Sequence, residues 1–265
     1  MAAEILPVAT GVWRDQRRSL ALWALAVSAV AAMYIAFWPL MGDETMEQAI
    51  AGMPEEMVIA MGYDRIGTAA GYLTSTVYGL LALFLLWVFA IANGARLIAG
   101  EEEAGTLELE LTSPVARRQV FAERVLALWL DVLLLVAALT LVAGGMIVAL
   151  DMEVGVTGLM AGSTGLFLVT IGMGTVAMAA GAVTGRRAIG LGVGAALAVL
   201  SYVFNAIGPV ADAGWMTTVS PVSWYLEPEP LANGFDVPNL LLLAAIPVVA
   251  AVVGLLAFQR RDLMV

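Results

Sequence analysis

Glu101, Glu102 and Glu103 stand in a row, followed by Gly105-Thr106-Leu107-Glu108, then Pro114 and the pair Arg117-Arg118. What this stretch offers is contact through charge and hydrogen bonds, not bond-making chemistry. The chain has no Cys, no His and no Lys. The absence of Cys removes thiolate chemistry, disulfides and cysteine metal sites. The absence of His removes the usual general base and the commonest metal ligand. Without Lys there is no standard phosphate-binding P-loop, so this chain is not expected to hydrolyse ATP itself. Scattered acids remain, with no paired constellation that would serve as acid and base.

Two other groups have a possible chemistry. Asp131 lies inside a long apolar run, where a carboxylate is costly and is a candidate for function. Its plainer reading is a pair with Arg96 or Arg124, or a side chain reaching back toward the interface. Met41, Met46, Met53, Met57 and Met61 gather in one loop. Thioethers bind Cu(I), but the same residues suit the apolar face of short interfacial helices split at Pro54. With no Cys or His to complete a site, no metal is assigned.

The elements that must position these residues follow from composition. Of 265 residues, 62% are hydrophobic and only 13% charged, about half the charge of an ordinary soluble domain. The mean hydropathy is +0.93. A helix needs about 20 residues to cross a bilayer core of roughly 30 Å. Six such runs are present: 20–39, 72–98, 120–150, 157–183, 188–207 and 237–258. The expectation is an all-α polytopic membrane protein with six transmembrane helices in one transmembrane unit, 1–265, with no internal repeat.

The net charge of −10 matters less than its distribution. All twelve basic residues are Arg, and eleven fall at the chain ends or in the 2–3 and 4–5 connections; only Arg65 lies on the other side. By the positive-inside rule both termini are cytoplasmic, and so is the stretch from Glu101 to Arg117. The first run is expected to be a retained helix and not a cleaved leader, since it is long and lacks a cleavage site. Residues 1–19 are expected to form an amphipathic segment along the inner membrane surface. Residues 208–236, with Trp215, Trp224 and Tyr225, suit an outer loop, an interfacial belt or a re-entrant segment.

Within the spans, Gly181 and Gly185, and Gly190 and Gly194, form GxxxG pairs. Such pairs let helices approach closely in lipid. They fit packing within one bundle or a moving or dimeric seam. Asn93 and Asn205 are expected to bond across helices. Tyr72 and Thr76 belong to a polar cluster at the outer end of the second run that is a candidate to line a cavity.

The period of 101–119 does not choose between structures. Leu107, Leu109 and Leu111 alternate with Glu108 and Glu110, as in a strand. Ala104, Leu107, Leu111 and Val115 also share a helical stripe. The order of residues is more specific. Glu-x-x-x-Gly-Thr-Leu-Glu, then Ser-Pro-Val and Arg leading into a long apolar helix, resembles the coupling segment of ATP-binding-cassette permeases of the type-2 exporter class. The matching positions are Glu101, Glu103, Gly105, Thr106, Leu107, Glu108, Pro114, Val115 and Arg117, with Arg124 at the basic position entering the third span. Glu110 stands where the family has an apolar residue. Gln259-Arg260-Arg261-Asp262-Leu263 is similar to the family's ending, and Ser220-Pro221-Val222-Ser223-Trp224-Tyr225 to a stretch in its bacterial drug- and antibiotic-type members.

The resemblance implies a cytoplasmic coupling helix over 99–119 that docks on a separate ATPase. Glu101, Glu102, Glu103, Gly105, Thr106, Leu107, Glu108, Pro114 and Arg117 would be the contact residues. It implies a permease homodimer with two ATPase subunits, Mg-ATP bound only by the partner, no cofactor in this chain, and export of a hydrophobic or drug-like molecule. The alternatives are an ion- or copper-related permease of the same class, and a membrane anchor or secondary transporter outside it. Membrane lipid is the surrounding partner; nothing points to nucleic acid.

Overall fold

In hydrocarbon each backbone N–H must be satisfied inside the chain, so long apolar runs have helix as their solution. The computed structural model describes residues 7–40, 52–54, 57–58, 66–105 and 116–261. Among the described residues the structure is helical, without strands. Six helices are long and apolar enough to cross a membrane. They are α1 (Pro7–Ile35), α2 (Ala69–Glu103), α3 (Arg117–Ala149), α4 (Val156–Thr184), α5 (Arg187–Val210) and α9 (Val237–Arg260). Three short helices, α6 (Gly214–Val219), α7 (Pro221–Leu226) and α8 (Pro230–Asn233), lie between α5 and α9.

The helix ends follow local chemistry. Thr68 caps α2, its hydroxyl accepting from the Gly71 N–H at 3.0 Å. Asp236 does the same for α9 through Asn239, at 3.0 Å. α1 runs from Pro7 to Ile35 without a break at residue 19. No Gly or Pro falls between Gly11 and Pro39, so nothing interrupts the helix where a surface segment was expected to give way to a span. α2 contains two π-helical stretches, Thr74–Leu81 and Arg96–Gly100. With 33 residues, α3 extends for about 50 Å, well past a hydrocarbon core of roughly 30 Å.

α4 occupies the middle of the bundle. Its most apolar stretch is 72% buried, against 22% for α1, α5 and α9. It packs on α2, α3, α5 and α9, while α1 packs chiefly on α3. Small residues make that central place possible. A Cβ at Gly94 of α2 would sit 2.1 Å from the carbonyl oxygen of Gly174 in α4, so the two backbones touch. Gly190 and Gly194 of α5 face Ala177 of α4 together with Ala95 and Ile91 of α2, and Gly181 faces Ala99. These three glycines therefore pack inside one bundle. Gly185 differs: with φ of +69° it is the left-handed residue that ends α4.

Candidate functional site

An α-helix turns about 100° per residue, so three consecutive side chains fan out over more than half the circumference. Glu101, Glu102 and Glu103, the last turn of α2, use that spread to reach three other helices. Glu101 pairs with Arg124 of α3, Nη2 to Oε2 at 2.5 Å, and more loosely with Arg96 at 3.7 Å. Glu102 accepts from Nη2 of Arg261, which follows α9. The Glu103 carboxylate accepts from the backbone N–H of Arg187, the first residue of α5, at 2.8 Å. Arg124 is 0% exposed, and its other terminal nitrogen donates to the Leu97 carbonyl of α2. On α3, Gln119 donates to the buried Glu123 at 2.8 Å.

The remaining helix ends join the same place. Arg117, the first residue of α3, donates to the Arg261 carbonyl at 2.9 Å. Gly185, at the end of α4, lies directly under the Arg261 guanidinium. Hence the ends of α2, α3, α4, α5 and α9 meet at one end of the bundle, the arginine-rich one. The glutamates were expected to offer their charge outward; in the structure each has a partner within the chain, because those arginines end the neighbouring helices at the same level.

Gly105 closes α2. Its φ is +70°, its side is open, and its N–H donates to the Glu102 carbonyl at 3.0 Å. This is the left-handed residue that turns a chain off a helix, and it gives the Gly of the quoted motif a physical reason. Thr106, Leu107, Glu108 and Pro114 lie outside the described residues, as do Met41, Met46 and Met61. Met53 and Met57 are exposed.

The other singled-out residues separate into different environments. Asn93 donates to Phe89 of its own helix at 3.0 Å, so it does not bridge helices as expected; its reach from α2 is taken up one turn back. Asn205 does bridge, accepting from the Ser223 hydroxyl of α7 at 3.1 Å. Tyr72 is buried and donates to the Tyr34 carbonyl in the last turn of α1 at 2.6 Å, an oxygen that also accepts from the Phe37 N–H at 3.1 Å. Thr76 bonds back to the Tyr72 carbonyl at 2.6 Å. The hydroxyls of these two side chains thus bond to helix backbone. Asp131 is 2% exposed and makes no ion pair among the described residues, and its Oδ2 has no hydrogen bond. Arg124, its expected partner, is committed to Glu101, and Arg96 leans the same way.

At the opposite end, Ser220 caps α7 through Ser223 N–H at 3.2 Å and donates to the Ser201 carbonyl of α5 at 2.7 Å. Ser201 accepts from Val222 N–H at 2.9 Å. The Ser-Pro-Val-Ser run is therefore a latch holding α7 on α5. Tyr225 is fully within the bundle, its ring filling the space left by Gly165 of α4.

Two apolar grooves open on the flanks. One, of about 300 Å³, lies between α2 and α5, walled by Phe84, Trp87, Val88, Ile91, Leu191 and Ala195 among others. The other, of about 580 Å³, lies between α4 and α9, with Val176, Ala180, Ile246 and Val249 in its wall.

Sequence reasoning placed the three glutamates, Arg117 and Gly105 at one site. It missed Arg187 and Arg261 as their partners, and the burial of Glu123. The available signal was the fan of three acids at a helix end, which requires three cationic or N–H partners if the end is covered.

Residues 6–263 match the family model described as ABC-2 family transporter protein. Among curated proteins none matches the chain.

Proposed function

The chain belongs to the ABC-2 family of membrane transporter proteins, and on that premise we propose that it is the membrane half of an exporter driven by a separate ATPase. The family supplies a transporter's membrane component, which is not itself catalytic and normally works with an ATP-binding subunit. In this reading the arginine-rich end faces the cytoplasm, with both termini. The ATPase docks on the connection between α2 and α3, through Gly105, Thr106, Leu107, Glu108 and Pro114. Glu101, Glu102, Glu103 and Arg117 anchor the base of that connection. Two copies of the chain form the pathway, each engaged by one ATPase with its Mg-ATP.

One observation carries the reading: five helix ends are tied together at the two points where the chain leaves α2 and enters α3. A partner pushing on that connection would act on most of the bundle at once. The flanks support a substrate class. The groove between α2 and α5 is apolar and aromatic, of a size that takes a drug-like molecule. It is open on one side, where a second copy would close it. A hydrophobic or amphipathic small molecule fits such walls.

The test is a pull-down of the tagged chain from its native membrane in mild detergent. A Walker-motif ATPase is expected to come with it. Gly105→Asp and Leu107→Asp are expected to abolish transport-coupled ATP hydrolysis while the chain still inserts. Recovery of the intact chain alone, or undiminished coupled hydrolysis in both variants, would overturn the reading.

A further inference from the structure

We propose that Arg261 is a positioning residue for the transport cycle, tying the end of α9 to both ends of the α2–α3 connection. The inference rests on the coupling reading above. Arg261 is gripped twice. Glu102, three residues before Gly105, holds its guanidinium, and Arg117, the first residue of α3, holds its backbone carbonyl at 2.9 Å. A displacement of the connection therefore reaches Arg261 from both sides.

A Cβ at Gly185 would lie 2.1 Å from Nη1 of Arg261 and 2.9 Å from its central carbon, so the guanidinium packs directly against the left-handed glycine that ends α4. The pair is largely out of water, with the Glu102 side chain 4% exposed and that of Arg261 19%. Among the described residues Nε and Nη1 of Arg261 are buried without a hydrogen bond. Separating such a pair would strand two desolvated charges. The two groups therefore move as a unit, in contrast to an exposed pair that water would loosen.

Arg261 is not what holds α9 in the bundle. Phe258, 0% exposed, lies against Phe121 of α3 at 6.0 Å between ring centres. Gly254 seats α9 against Phe121 and Ala179, and Leu243 and Pro247 are buried along its length. Removing the guanidinium leaves that packing in place. What Arg261 adds is a link from the connection to the helix that forms one wall of the α4–α9 groove.

The chain has no native Cys, so Gln259→Cys near the end of α9 and Arg118→Cys at the start of α3 each accept a single environment-sensitive dye. Both positions are exposed. The experiment uses the full chain with its copurified ATPase in liposomes, comparing nucleotide-free and vanadate-trapped states. In the unaltered complex both dyes are expected to change emission. In Arg261→Gln the α9 change is expected to fall by about fivefold or more, the size of a modest coupling energy, while the α3 change and the ATPase yield persist. Arg261→Lys is expected to keep part of the α9 change, and Glu102→Arg with Arg261→Glu to restore it. An α9 change that survives Arg261→Gln, or a reversed pair no better than the single variant, overturns this inference alone. A preparation in which no ATPase copurifies overturns the functional reading and this inference with it.

Discussion

The two ends of the bundle solve one problem with different chemistry. At the arginine-rich end, charges join α2, α3, α5 and α9. At the other end neutral groups do so: Ser201, Ser220, Ser223 and Asn205 hold α7 to α5, and Tyr72 holds α1 to α2. That second end is not short of acids. Asp151, Asp212 and Glu229 sit there in left-handed backbone at helix ends, and Asp236 caps α9. Among the described residues it has no Arg, so its acids turn and cap the chain instead of crossing between helices. The contrast teaches that the arginines do more than orient the chain. They decide which end can be tied by ion pairs, whose parts separate only at high cost once buried.

The comparison breaks most readily at Arg124. Arg124→Ala takes from Glu101 its fully buried partner, and is expected to destabilise the purified protein by about 3 kcal/mol, the low end for a buried pair because the Glu101 side chain is 19% exposed. A thermal melt in detergent measures this. A midpoint equal to that of the unaltered protein would mean that the ionic end contributes no more than the neutral one.

Ser220→Ala tests the other end. It removes a helix cap and a buried hydrogen bond to Ser201, so a loss of about 1–2 kcal/mol is expected. The same melt, together with faster proteolysis between α5 and α9, reports it. A loss as large as that of Arg124→Ala would erase the difference between the two ends.

The smallest effect is expected at Asp131, an acid near the ionic end but outside its network. Asp131→Asn replaces a buried carboxylate whose Oδ2 lacks a hydrogen bond, and the stability change should stay within about 1 kcal/mol. A much larger loss would show that Asp131 belongs to the network after all.

The two ends were also legible to different degrees. The Ser-Pro-Val-Ser latch is local: Ser220 caps the helix that begins at Pro221, a pattern readable from four residues. Its hold on Ser201 spans only 19 residues of sequence. The ionic end joins residues 84 and 159 apart, Glu103 with Arg187 and Glu102 with Arg261. No local pattern names those partners, since many arginines share that side of the membrane. Asn93 shows the same limit on a smaller scale. Its polarity marks it as needing a partner, but whether it turns to its own helix or a neighbour depends on the face it lands on.

The sequence by itself determined six membrane-crossing helices, the side on which the arginines gather, and the absence of a P-loop lysine, His and Cys. Those properties depend on composition and on runs of about 20 residues, which hydrocarbon thickness reads directly. Only the tertiary structure decided that α4 is the centre, that Gly185 ends α4 in left-handed backbone and is not part of a packing pair, and that each of the three glutamates finds a partner within the chain. The reason is geometric: the rotation of each helix about its axis sets which neighbour a side chain meets, and that rotation is fixed by all the helices packing at once.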